Sequence, residues 1–290
     1  MSWLRPHQPM RWLNLSFDHR LDISAARQFL VHLLSSSHLG PVAFEVEVTK
    51  AGMQYRIACS NPAGLHRLLQ AHLPMVTVHR SKRSVQASKA WAVRSNRPLS
   101  PLRAGEPEEA SATLLGALAV ADTAVCHQIL VGRRLAPEPV SSRVHEVPGR
   151  SAGSRLFNSL TIGKQPLEAD ERRSRLVKRS VPGAVSNVRL FVMAESECHN
   201  GEDRRYLAAL RSLETPGLRL RLSKMRIKPA VEATRSSANI VLNVDEVLVM
   251  LGWPYGKRSY VGIDRSQSLT RPTERSTRNV RVLGTSTHPG

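Results

Sequence analysis

The residues best equipped for chemistry in this chain are few and poorly grouped. A phosphate-binding loop needs Gly-x4-Gly-Lys-Ser/Thr after a strand, so that backbone N–H groups wrap the phosphates while the lysine meets their charge. Gly163-Lys164 is followed by Gln165, with Asn158 in place of the first glycine. Gly256-Lys257 is followed by Arg258, with Leu251 in that place. Both pairs read as turns. Cys198-His199 has no second Cys or His at ligand spacing, His145-Glu146 stands alone, and His66 and His72 lie six apart on one expected helix. None of these is a zinc pattern. Cys198-His199 also lacks an orienting acid, and no serine is expected to be an activated nucleophile. Glu45 and Glu47 share a strand face expected to meet water, which removes the burial that tunes catalytic carboxylate pairs. The expectation is a chain that is not an enzyme, with no catalytic residue, no metal ligand and no cofactor.

The cations are better organised than the acids. Lys and Arg number 42 against 23 acids, a formal net charge of +19, and only eight of the 42 are lysines. Such an excess favours acidic partners such as nucleic acid, although both halves of the chain carry it. The densest run is Arg219, Arg221, Lys224, Arg226 and Lys228. Arg219 and Arg221 fall on one strand face and the other three on the opposite face, with Ser223 at the change of phase as a candidate bulge. Long cations in that arrangement suit phosphates, with contacts that are salt-sensitive and indifferent to base sequence. The same pattern also suits a solvated edge strand whose charges discourage pairing. The aromatic interleaving of single-strand platforms is missing, with four Tyr and five Phe in the chain.

The elements that must position these residues follow from periodicity. Residues 41–59 alternate as a hairpin, with Val42, Phe44, Val46 and Val48 on one face and Lys50-Ala51-Gly52 as the turn. Asn61 and Pro62 then open a helix with Leu65, Leu68, Leu69, His72 and Leu73 on its apolar face. An earlier helix is expected over 23–34, capped by Asp22 or Ser24. Further strands are expected at 75–79, 87–94 and 125–131, with a helix at 108–118. Val188–Ala194 reads as a strand, Tyr206, Leu207, Leu210 and Leu213 as the buried stripe of a helix, and Leu218–Leu222 as the strand after it. With 290 residues, 41% of them apolar, the prior is about two domains. The expected class is α+β: two small modules, at 1–132 and 185–256, each containing a strand-helix-strand unit with helices on one sheet face. A Pro/Gly-rich linker at 133–184, carrying one charged helix near 166–179, joins them, and 257–290 reads as a basic extended tail.

Cys59, Cys126 and Cys198 are too few and too scattered for a disulfide framework. The longest apolar stretch, 114–126, is too short for a bilayer and contains Asp122. No secretory leader is visible at the start. A cytoplasmic protein is expected, with membrane association only through a partner.

The clearest local signal is Asn243-Val-Asp-Glu246, a capping box, followed by Val247, Leu248, Met250 and Leu251 and closed by Gly252. Leu251, Trp253, Pro254 and Tyr255 are the interface candidates: Trp253 reads as a large ring packed on a domain core or on a neighbouring subunit or domain. These residues, with Gly40-Pro41-Val42, Leu213-Glu214-Thr215-Pro216-Gly217 and the segment from Leu283-Gly284-Thr285 to His288-Pro289-Gly290, resemble the region preceding the ATPase core in actinobacterial conjugation proteins. Those proteins are the TraG/HerA–FtsK-type ATPases of type IV secretory coupling. The resemblance implies a non-catalytic N-terminal part that docks a motor ATPase subunit or another conjugation or secretion protein, with DNA as a further partner. The Walker lysine and acid are missing, so it also implies a split, truncated or remnant form whose motor lies elsewhere.

Overall fold

Alternating apolar residues and a short turn build the first hairpin where the sequence places it. In the computed structural model, which describes residues 10–17, 19–50, 52–81, 87–121, 123–139, 169–193, 201–225 and 240–256, β2 (Val42–Thr49) and β3 (Gly52–Cys59) pair from Val42↔Cys59 to Thr49↔Gly52. Gly52 takes a φ of 127°, open to glycine and strained for other residues. The helix starts are equally local. Asp22 caps α1 (Ile23–Ser35) by accepting from the Ala25 N–H at 2.8 Å. Asn61 caps α2 (Pro62–His72) through the Gly64 N–H at 3.0 Å.

The remaining elements are β1 (Arg11–Phe17), β4 (Val76–Ser81), β5 (Ala87–Ser95), α3 (Pro107–Ala119), β6 (Val125–Leu135), α4 (Ala169–Arg179), β7 (Gly183–Met193), α5 (Glu202–Arg211), β8 (Leu220–Lys224), β9 (Ile240–Asn243) and α6 (Val244–Met250). All the described strand pairings are antiparallel, in the order β4-β1-β3-β2-β6-β7-β5-β8, with β9 also on β7. The α+β class holds, but the expectation of two separate modules gives way to one sheet. β7 pairs along one side with β6, while its other side is divided between β9 and β5. A strand this apolar leaves neither ladder of backbone groups without a partner. β5, expected in the first module, therefore lies between β7 and β8 of the second. Regular structure also enters the expected linker from both ends, to Leu135 and from Ala169; residues 140–168 and 257–290 lie outside the described residues.

Alternate strand residues and the inner faces of α1, α2, α3, α5 and α6 make one core, including Phe17, Phe44, Ile57, Ile129, Leu190 and Leu220 from the sheet. Each such buried side chain contributes roughly 1.5–3 kcal/mol. On the opposite face two small apolar clusters, Trp12, Ala43, Ala58 and Leu130, and Ala90, Cys126, Phe191 and Met193, flank a polar row. That row follows the register Asn14↔Arg56↔Glu45↔Gln128↔Arg189. Glu45, expected to meet water, is only 1% exposed. Gln128 donates to it at 2.8 Å, and Arg56 approaches both Glu45 and Glu47. Neutralisation by Arg56 is what permits carboxylates on a shielded face.

Candidate nucleic-acid interface

β8 lies at one end of the described sheet and pairs with β5 through Ser95↔Leu220, Arg94↔Arg221, Val93↔Leu222, Ala92↔Ser223 and Trp91↔Lys224. The register is unbroken at Ser223, so the expected bulge is absent. Leu220 faces the core, and strand alternation sends Arg219 and Arg221 to the face opposite it. Lys224 shares the parity of Leu220 and Leu222 and belongs to the helix-bearing side, where it is exposed at the strand end. Arg226 and Lys228 lie outside the described residues.

The fold adds two cations that the linear run omitted. Arg94 stands directly opposite Arg221, and both are exposed. Arg97 follows closely: Gly217, at φ 80°, sits so near the Arg97 guanidinium that an added Cβ would lie 3.0 Å from its Nη1. The turn is pinned by Asn96, whose Oδ1 accepts from the Arg219 N–H at 2.7 Å and whose Nδ2 donates to the Gly217 carbonyl at 3.2 Å. Arg219 pairs with Glu214 at 2.9 Å but keeps 68% of its side chain exposed. Glu214 also accepts from the Leu220 N–H at 2.7 Å, so it fixes the strand entry as well. Arg94, Arg97, Arg219 and Arg221 thus gather at one corner from segments more than a hundred residues apart. Nothing in local spacing could have joined them, because the pairing of β5 with β8 brings them together.

The interface candidates fare differently. Leu251, Trp253, Pro254 and Tyr255 are all buried within the chain. The Trp253 ring lies 5.8 Å from Phe17, 5.9 Å from Phe29 and 5.8 Å from Phe44, centroid to centroid. Its carbonyl accepts from Ser111 Oγ at 2.6 Å, and Leu21 N–H donates to the Pro254 carbonyl at 2.9 Å. The segment fills this chain's own core and offers no docking surface.

Other perturbed groups sit in structural surroundings. His127 Nε2 donates to the Met250 carbonyl at 2.8 Å, leaving Nδ1 to accept from Tyr206 O–H at 2.7 Å, and complete burial drives its pKa down to about 4. Burial raises the Cys59 thiol to about 11 and lowers Arg134 to about 10. Arg134 is capped by the carbonyls of Leu33, Gly40, Val131 and Gly132. Among the described residues no three His, Cys, Asp or Glu side chains gather as a metal site, and no helix is long and apolar enough to cross a membrane. The segment Gly149-Arg150-Ser151-Ala152-Gly153 has the spacing of a nucleophile elbow, which the sequence reading passed over; it lies outside the described residues.

No protein-family model matches the chain, and no curated protein matches it either.

Proposed function

We propose that this chain is a non-catalytic accessory domain of a conjugative DNA-transfer machine, working beside a motor ATPase or secretion partner, and that it meets nucleic-acid backbone at the β5–β8 corner. The cross-strand pair Arg94 and Arg221, with Arg97 and Arg219 beside it, carries this reading. Exposed guanidinium groups gathered in this way offer forked N–H donors that suit backbone phosphates. The net charge of +19 adds long-range steering toward a polyanion, and the resemblance of the 213–217 and 243–256 segments favours DNA as that polyanion. Among the described residues the corner offers guanidinium groups and no groove-reading helix, so the proposed contacts address phosphate without sequence preference.

Fluorescence anisotropy with labelled DNA of unrelated sequences tests the site. Affinity is expected to fall by orders of magnitude between about 50 and about 200 mM salt if several phosphates are neutralised, and to collapse in the Arg94→Glu/Arg221→Glu variant. Unchanged affinity in that variant removes the corner as the contact. Calorimetry with Mg-ATP is expected to give no binding heat; micromolar binding would overturn the non-catalytic role. Co-purification of the chain with a motor ATPase from its host tests the accessory role.

A further inference from the structure

His32 and His72 bring two imidazoles together across a helix junction. His32 occupies the last turn of α1 and His72 the last turn of α2, the two helices pack together, and the ring centroids stand 4.4 Å apart with planes inclined by 43°. We infer that this pair is a binding site for a borderline divalent transition metal ion, Cu(II), Ni(II) or Zn(II), which clamps the C-terminal turns of α1 and α2.

Neutral imidazole is the side chain these ions prefer, whereas Mg(II) and Ca(II) select oxygen ligands. Both rings lie at the carbonyl end of a helix, where the peptide dipoles favour positive charge. His32 is exposed and His72 half-buried, so an ion reaches the pair from solvent and the His32 ring reorients without disturbing the core. Arg134 already takes the Leu33 carbonyl at the end of α1, so bonding falls to the imidazole nitrogens. Among the described residues no third His, Cys, Asp or Glu completes a set. Water fills the remaining positions, and the site is open and exchangeable in character.

Calorimetric titration of the full chain with Ni(II) at mildly alkaline pH tests the inference. Wild type is expected to bind an equivalent that is missing from both His32→Ala and His72→Gln and retained in His79→Ala, an exposed histidine on β4. Ni(II) is expected to raise the thermal midpoint of wild type and not of the two site variants, while Mg(II) leaves all unchanged. Cu(II) bound at this site should show coupling to two nitrogens by electron paramagnetic resonance. Equal isotherms for wild type and His32→Ala, or no binding by wild type, would overturn the proposal. The exposed His32 position keeps that comparison decisive even if the His72 variant folds poorly.

Discussion

Lys178 Nζ lies 3.0 Å from Glu246 Oε2, with both side chains almost wholly shielded from water. Lys178 also donates to the Ser100 carbonyl at 3.0 Å, and Glu246 accepts from the Leu102 N–H at 2.7 Å and the Asn243 N–H at 3.0 Å. The carboxylate that completes the capping box of α6 is therefore also the seat of an ion pair reaching α4. Burial lowers the Lys178 pKa and raises that of Glu246, and their mutual attraction opposes both shifts. Lys178→Ala leaves the carboxylate buried and alone, and is expected to cost about 3–5 kcal/mol in urea unfolding. Lys178→Met combined with Glu246→Gln should cost clearly less, because no charge is then stranded; equal losses would show that the pair contributes only through packing.

His127 gives stability a defined pH dependence. Its folded pKa of about 4 lies below the ordinary 6.5, so between these values the unfolded chain binds more protons than the folded one. The contribution is complete above about pH 6.5 and declines as pH falls toward about 4, by about 3 kcal/mol in all. Unfolding midpoints measured across that range should drop with acid in wild type. The drop should be shallower in His127→Gln, which keeps polar atoms in place without titrating.

The aromatic contacts of Trp253 set a third expectation. Trp253→Ala empties the space between Phe17, Phe29 and Phe44 and is expected to lose about 3–5 kcal/mol. Gly256→Ala is the companion test. Its φ of 67° strains any side chain, by about 1–2 kcal/mol, and a Cβ there would run into the Glu108 carboxylate. Both should shift chemical denaturation midpoints, whereas Val120→Ala, at a side chain 62% exposed, should not.

Neutral substitution at the β5–β8 corner separates phosphate contact from general charge. Arg94→Gln/Arg221→Gln should make the plot of log affinity against log salt shallower by about two phosphate contacts' worth. Arg80→Gln, on the opposite edge strand β4, should leave that slope unchanged.

Signals carried within a few residues were the readable ones. The β2–β3 hairpin, the Asn61 and Asp22 caps and the Asn243–Glu246 box lie where side-chain type and spacing place them. What needed long-range pairing was hidden. Glu45 looked solvent-facing because its shield, Arg56 and Gln128, arrives from neighbouring strands. Lys178 looked like one more cation on a polar helix, and its carboxylate partner is 68 positions away. Arg94 belongs with Arg221 only once β5 has crossed to β8. Trp253 was legible as a packed ring, but the sequence left open whose core it fills, and the answer is this chain's own.

The seat of β5 between β7 and β8 imposes an order on biosynthesis. When residues 87–95 leave the ribosome, neither neighbour exists, and β7 is completed only at Met193. At about 5–20 residues per second, Trp91 and Val93 wait on the order of 5–20 s with their apolar sides unclaimed. Nascent chains stalled before residue 183 should therefore draw chaperones and proteases, and release of a chain long enough to include β8 should end that vulnerability.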